Sequence, residues 1–120
     1  MKRIYTFGHE QVERNITVGD IIQNKNNNKK MTQVTAANQE EAEIIAKENI
    51  DMIITGSDWY EDVRKGAPNT FITAALFAGR FITNEEILRG AFDVMMAGAD
   101  SVLTPRSFDV VEMLAKEGMQ

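Results

Sequence analysis

Short apolar runs alternate with longer amphipathic segments along most of this 120-residue chain. Continuous apolar runs of this kind are typical of parallel strands that are buried on both faces. The predicted strands cover 31–37, 50–56, 70–76 and 100–105. The predicted helices cover 38–49, 57–66, 83–99 and 107–118. Strands that alternate with helices in this way predict a parallel sheet joined by right-handed crossovers.

Cap residues support the predicted helix boundaries. Asn38 stands before the first helical positions of its segment, with Glu41 three residues later, and Thr83 stands in the same relation to Glu86. This spacing is that of a capping box, in which the cap and the acidic side chain each satisfy a backbone amide of the other. Gly98 stands near the end of the helix over 83–99, where a left-handed residue commonly ends a helix.

The first 30 residues have a weaker pattern and predict an irregular N-terminal segment that ends in a polar linker. A short strand over 3–7 and a short helix capped by Thr17 are the regular elements expected there. The Asn-rich run over 24–30 is typical of a mobile loop. Residues 31–120 are then expected to form a single α/β domain of about four β/α units.

Two α/β architectures fit this order of elements. One is a half or truncated (β/α)8 (TIM) barrel, because complete barrels usually run to about 250 residues. The other is a compact doubly wound sheet. A half-barrel leaves strand edges and an inner sheet face uncovered, so it predicts a homo-oligomer that associates through exposed sheet edges.

Composition narrows the classes of partner and compartment. The net charge of -5 and the pI of about 4.9 argue against a nucleic-acid-binding protein. The absence of cysteine removes disulfides, thiolate metal sites and cysteine nucleophiles. No apolar run approaches the roughly 20 residues of a membrane span, and the charged start lacks the apolar core of a signal peptide. We therefore expect a soluble cytoplasmic domain with no nucleic-acid or membrane partner.

Four segments, taken in order, resemble one enzyme family. They are ITVGDIIQNKNNNKKMTQVTA, IDMIITGS, RKGAPNTFITAAL and MMAGADSV. They resemble the N-terminal half of the ketopantoate hydroxymethyltransferase (3-methyl-2-oxobutanoate hydroxymethyltransferase) family, from about Ile16 to Met119. The resemblance implies a barrel of the phosphoenolpyruvate-mutase/isocitrate-lyase type. It also implies hydroxymethyl transfer from methylenetetrahydrofolate to a 2-oxo acid, a step of pantothenate biosynthesis, with Mg²⁺ stabilising the enolate.

The family's site positions can be followed residue by residue. The metal aspartate and the substrate serine that follow the family's second strand correspond to Ser57 and Asp58, with the side-chain types exchanged. The second metal aspartate corresponds to Ala75, and the Lys-Leu-Glu run after the fourth strand corresponds to Leu-Thr-Pro at 103–105. The general base lies in the family's second half. The resemblance therefore implies the family fold with most catalytic and metal positions replaced.

Three functions follow from these features. The first is a divergent or fragmentary hydroxymethyltransferase-like protein. The second is a related lyase-like or mutase-like enzyme that binds a small oxo acid. The third is a non-catalytic barrel remnant or interaction module whose sheet edges pair with another chain. Whether the protein is an enzyme stays open at this stage, and no catalytic residue is assigned.

Ser57 and Asp58 are the first candidate site residues. In the functional interpretation, Ser57 binds substrate and Asp58 binds Mg²⁺ at the carboxyl ends of the strands, where such sheets hold ligands. As ordinary structure, one of them caps the short helix that follows. Arg106 and Ser107 are the second pair, because a guanidinium beside helix N-terminal amides suits a carboxylate or phosphate. Their alternative is an ordinary helix start with a solvated arginine.

The remaining polar and aromatic side chains are weaker candidates. Trp59 and Tyr60 stand beside Glu61 and Asp62, whose carboxylates could complete a metal site with Asp58. We expect instead that these carboxylates are solvated and that the rings pack on the sheet edge or on a partner.

Overall fold

The computed structural model describes residues 1–77, 81, 83–104, 112 and 114–118. The strands defined over these residues are β1 (Lys2–Tyr5), β2 (Gln11–Arg14), β3 (Gln33–Thr35), β4 (Met52–Gly56), β5 (Phe71–Ala75) and β6 (Ser101–Leu103). The helices are α1 (Val18–Asn26), α2 (Gln39–Lys47), α3 (Tyr60–Gly66) and α4 (Asn84–Met96). A 3-10 turn covers Ser57–Trp59 between β4 and α3.

The last four strands form one parallel sheet in the order β3-β4-β5-β6. Ile53 of β4 lies opposite Val34 of β3 and Ile72 of β5, and Ala74 of β5 lies opposite Val102 of β6. One helix follows each of β3, β4 and β5 before the next strand begins. The prediction of an α/β fold whose parallel strands alternate with helices is therefore confirmed.

Side-chain burial differs between the two faces of this sheet, which receive alternate residues of each strand. On one face Ile53, Ile72 and Ala74 are fully buried. They belong to a hydrophobic core that includes Val63 of α3 and Ile87 of α4. We call the opposite side the bare face, because its residues are partly buried or exposed except for Phe71, at the start of β5, and Gly56, which lies against the Phe77 ring. The bare face consists of Gln33, Thr35, Met52, Ile54, Gly56, Phe71, Thr73, Ala75, Ser101 and Leu103.

Local signals explain where the helices begin and end. Thr17 and Thr83 begin α1 and α4 with complete capping boxes. Asn38 caps α2 by accepting a hydrogen bond from the Glu41 backbone N–H at 2.9 Å. Gly98 follows α4 with a φ of 108°, a left-handed conformation that glycine adopts without a steric penalty. The predicted caps of these helices are confirmed, except that the Glu41 carboxylate accepts from the Ala37 N–H, so Asn38 and Glu41 do not form a complete capping box.

The N-terminal segment contains more regular structure than its sequence pattern predicts. β1 and β2 form an antiparallel hairpin in which Ile4 lies opposite Val12. The helix α1 continues through Asn26, so the prediction of a loop over 24–30 is wrong for its first three residues. The capping box at Thr17 satisfies backbone amides at the start of α1, which offsets the low helix propensity of the asparagines.

Two side chains attach the hairpin to the amino ends of the sheet strands. Asn15 donates from Nδ2 to the Asp51 carbonyl oxygen at 2.8 Å and accepts at Oδ1 from the Phe71 N–H at 2.8 Å. It therefore bridges the residues at the starts of β4 and β5. Arg14, at the end of β2, is 3% exposed and takes part in a buried ion-pair network.

Candidate functional site

The carboxyl ends of β4 and β5 lie side by side, as the site prediction requires. Gly56, the last residue of β4, is in register with Ala75, the last residue of β5. Ser57 and Asp58 follow Gly56 directly in the 3-10 turn. The structure therefore brings Ser57, Asp58 and Ala75 to the end of the sheet at which parallel α/β proteins bind their ligands.

A groove of about 370 Å³ opens between the 3-10 turn and α4. It is lined by Ser57, Asp58, Phe81, Glu86, Arg89, Gly90, Asp93 and Val94. The ring of Phe81 lies so close to Gly90 that a Cβ atom at that position would stand 2.4 Å from it. Gly90 is therefore needed for Phe81 to form one wall of the groove. The volume falls within the usual range of small-molecule pockets.

Ser57 has unmet hydrogen-bonding capacity at this groove. Its Oγ atom is shielded from solvent and has no hydrogen-bond partner among the described residues. A buried polar group without a partner costs about 1–3 kcal/mol, so a ligand that bonds the Ser57 hydroxyl recovers this energy. Ser57 is not a helix cap, because neither the 3-10 turn nor α3 has a side-chain cap hydrogen bond.

The groove carries more acidic than basic side chains. Asp58 and Asp93 contribute carboxylates, while Arg89 contributes the guanidinium. Glu86 also lines the groove, but its carboxylate accepts hydrogen bonds from the residue that caps α4. Arg89 is therefore the groove residue suited to an oxo-acid carboxylate, a role for which the sequence suggested Arg106.

The groove carries only part of the donor set that the family resemblance implies for Mg²⁺. Mg²⁺ requires a near-octahedral set of oxygen ligands. Over the part of the chain that the structure describes, no group of three His, Cys, Asp or Glu side chains is placed to hold a metal ion. Ala75, at the end of the neighbouring strand β5, has no ligating atom in its side chain. The groove therefore offers the carboxylates of Asp58 and Asp93 but not the second family ligand position, which is Ala75 here.

The other sequence candidates do not join this groove. Arg106 and Ser107 lie outside the described residues. Asp62 accepts a hydrogen bond from the Gln39 N–H at 2.9 Å, so it links α3 to α2. The one histidine of the sequence, His9, is exposed in the turn of the N-terminal hairpin, away from the groove.

Tyr60 is a core residue, which corrects the expectation that its ring packs on a sheet edge or a partner. It is 1% exposed, and its hydroxyl accepts a hydrogen bond from Nε of Arg64 at 2.8 Å. Burial raises the pKa of Tyr60 above its ordinary value, because the phenolate would lose its hydration.

Trp59 does lie at the surface, together with Phe77. Their rings are 44% exposed each and meet edge to face with centroids 5.8 Å apart. A Cβ atom at Gly56 would stand 2.6 Å from the Phe77 ring, so Gly56 permits this ring to lie against β4. Leu103, at the end of β6, is 51% exposed. Exposed apolar side chains therefore lie at the carboxyl ends of β4, β5 and β6.

A buried ion-pair network at the amino end of the sheet was missed by sequence reasoning. Asp100 accepts from Nε of Arg14 at 2.9 and 3.0 Å, from Nη2 of Arg64 at 2.8 Å, and from the Ile72 N–H at 2.9 Å. The side chains of Arg14 and Asp100 are 3% and 5% exposed. The two guanidinium groups also donate to backbone carbonyls, including that of Gly98.

This network holds elements together, because the two guanidinium groups bond the Asp100 carboxylate and several backbone carbonyl oxygens. It joins the end of the N-terminal hairpin to α3 and to the residue before β6. The amino end of such a sheet is the side where side chains serve stability rather than ligand binding. Asp100 stands 86 residues from Arg14 and 36 from Arg64, so no local sequence signal connects the three.

No protein-family model and no curated protein matches this chain. Among the residues that the structure describes, no helix is long and apolar enough to cross a membrane.

Proposed function

We propose that this chain is a divergent, non-catalytic half-barrel module that functions by assembling with a second barrel half. The observation that carries the proposal is the difference between the two sheet faces. Ile72 and Ala74 on the helix side are fully buried, whereas Thr73 between them is only partly buried and Leu103 is 51% exposed. Parallel sheets are normally covered on both faces, so the bare face requires a partner.

The order of the strands supports a barrel half over the doubly wound alternative. Right-handed crossovers that all step in one direction across a sheet place all their helices on the same face. A doubly wound sheet instead reverses direction at a switch point, which covers both faces with helices. The described strands follow chain order from β3 to β6 without a reversal.

The strand ends support the loss of the family's chemistry. The resemblance to ketopantoate hydroxymethyltransferases implies a Mg²⁺ ion that binds the oxo acid. It also implies further carboxylates at the ends of neighbouring strands. Ala75 stands at the first of these positions, and by the sequence correspondence Pro105 replaces the glutamate at the other. On this proposal hydroxymethyl transfer is not retained, and methylenetetrahydrofolate is not a co-substrate.

The mass of the chain in solution tests the assembly. We expect light scattering after gel filtration to give at least twice the 13.5 kDa of one chain. Leu103→Glu places a carboxylate on the bare face, and burying it in an interface costs several kcal/mol. The variant should therefore associate roughly 100-fold more weakly or worse.

Phe92→Glu is the matched control for this substitution. Phe92 is an apolar residue of α4 that is 46% exposed, close to the 51% of Leu103, but it lies in the helix layer. The control should keep the mass of the native protein. A single-chain mass for the native protein at every concentration would refute the assembly and favour a compact sheet.

The unpartnered Ser57 hydroxyl favours a second candidate function, the binding of a small oxo acid in the groove. Arg89 would bind the carboxylate and Ser57 would donate to a ligand oxygen. We expect 3-methyl-2-oxobutanoate, added with Mg²⁺, to raise the melting temperature, since a ligand at 100 times its Kd adds about 2.7 kcal/mol of stability. The Arg89→Gln variant should lose this effect. An unchanged melting temperature in the native protein would eliminate both enzyme hypotheses.

A further inference from the structure

We propose that two copies of this chain close into one eight-stranded parallel barrel, in which β6 of each copy pairs with β3 of the other. The proposal rests on the half-barrel function above and adds the identity of the partner and the geometry of the pairing. Among the described residues, β3 pairs only with β4 and β6 pairs only with β5. Within the described residues, β3 and β6 therefore each leave one strand edge unpaired.

Neither of these edge strands contains a charged residue or a proline that would oppose pairing with another strand. Natural edge strands are usually protected by lysine, other charges or proline. The residues of β3 are Gln, Val and Thr, and those of β6 are Ser, Val and Leu. Neither strand therefore carries a residue that would oppose the addition of another strand.

The distribution of charge identifies the partner as a second copy. The chain has a net charge of -5, and 26% of its residues are charged, so two copies repel each other in most orientations. The bare face is an exception, because all ten of its residues are uncharged. Two copies can face each other here without like-charge repulsion, while a strongly basic partner would find no counter-charge.

Closure into a barrel is the one symmetric arrangement that covers both edges and the bare face. Antiparallel pairing of β3 with β3, or of β6 with β6, satisfies one edge per copy and leaves the bare face exposed. A two-fold axis along the strands instead places β6 beside the partner's β3 in parallel, twice. Eight strands also give the barrel size whose interior is filled by side chains.

The size of the bare face shows that the helix layer must also contribute. Four strands at about 4.8 Å spacing and about five residues of 3.3 Å cover roughly 320 Å² per copy. A specific interface usually buries about 800 Å² per partner. Val34 on β3 and Ile44 on α2 are 37% and 65% exposed and belong to the unit at the open edge. When the barrel closes, Val34 and Ile44 can pack against the second copy.

Barrel geometry also predicts the register of the new strand pair. A (β/α)8 barrel has a shear of about 8, so the register moves by about four residues over each half of a two-fold barrel. Thr35, Ile54, Thr73 and Ser101 are in register within one copy. The strands of such barrels coil in a right-handed sense. A line drawn across the strands through these four residues therefore reaches the partner's β3 about four residues before Thr35. Leu103 then falls opposite Gln33 of the partner copy.

Cysteine cross-linking tests the pairing, because the native chain contains no cysteine. Gln33→Cys and Leu103→Cys are made as separate variants, mixed, and oxidised. Neighbouring strands lie about 4.8 Å apart, which is within the Cα separation that a disulfide spans. We expect a cross-linked dimer in the mixture and only background in either variant alone. Thr32→Cys with Val102→Cys provides a second pair in the same register on the opposite face.

The outcomes separate this proposal from the assembly on which it rests. Cross-linking of Leu103→Cys or Gln33→Cys with itself would show edge-to-edge antiparallel pairing and overturn barrel closure, while assembly stands. A multimeric mass without cross-linking in either mixed pair would also overturn the closure. A single-chain mass in light scattering, again without cross-links, would overturn both.

Discussion

Removal of the charge on Asp100 should cost this protein a large part of its stability. In Asp100→Asn, one carboxylate oxygen is replaced by an amide NH2 that faces the guanidinium donors of Arg14 and Arg64. Four hydrogen bonds from these two side chains and the Ile72 N–H end on the native carboxylate, at 2.8 to 3.0 Å. The native pair is almost fully buried, at 3% and 5% exposure.

The magnitude follows from the burial of the charges left behind. Breaking a buried pair by removing one partner costs about 3–5 kcal/mol, because an uncompensated charge remains. A domain of this size has a total stability of about 5–15 kcal/mol. The loss should lower the melting temperature by roughly 10–20 °C.

Urea unfolding followed by circular dichroism measures this change. The midpoint should fall while the slope against urea stays constant, which would indicate lower stability of the same native structure. Asp93→Asn is the control, since Asp93 is exposed on α4 and its substitution should change stability by at most about 0.5 kcal/mol. A loss below about 1 kcal/mol in Asp100→Asn would show that desolvation of the carboxylate cancels its attraction to the arginines, and the reasoning would fail.

Two further predictions concern backbone packing and titration. Gly66→Ala should lower the free energy of unfolding by about 1–3 kcal/mol, because the new Cβ would stand 2.2 Å from a backbone oxygen of α2. Gly19→Ala is the control, since its Cβ would have only one neighbouring atom, at 3.6 Å. In thermal unfolding the control should be as stable as the native protein or up to about 1 kcal/mol more stable. In the Tyr5→Phe variant, ultraviolet absorbance should show that Tyr60 ionises above the ordinary tyrosine pKa of 10.0. The stability of the fold should then fall as the pH rises from 10.0 through the pKa of Tyr60 in the folded protein. A titration midpoint at 10.0 would contradict the burial argument.

Local signals predicted the secondary structure well, because each acts over a few residues. The caps Asn38 and Thr83 were identified from the spacing of a polar residue and an acidic one, and both cap as expected. The incorrect prediction of a loop over 24–30 also came from a local signal. Composition favoured a loop there, but the capping box at Thr17 allows α1 to extend through Asn26.

The candidate site was predicted only in part. Sequence reasoning placed Ser57 and Asp58 at a strand end, which the structure confirms. It did not connect them with Arg89, which lines the same groove from α4. The periodicity of α4 predicts which of its residues are buried, but it does not show which other loop its polar residues face.

The sequence by itself determined the order of strands and helices, the helix caps and the absence of thiol chemistry. These depend on apolar periodicity, short hydrogen-bonded motifs and composition, which are local properties. Only the tertiary structure decided that Asp100 meets Arg14 and Arg64, and that one sheet face is buried while the other is bare. Continuous apolar runs predict burial on both faces of a strand. Which face the helices cover depends on the direction of successive crossovers, and this is a property of the whole sheet.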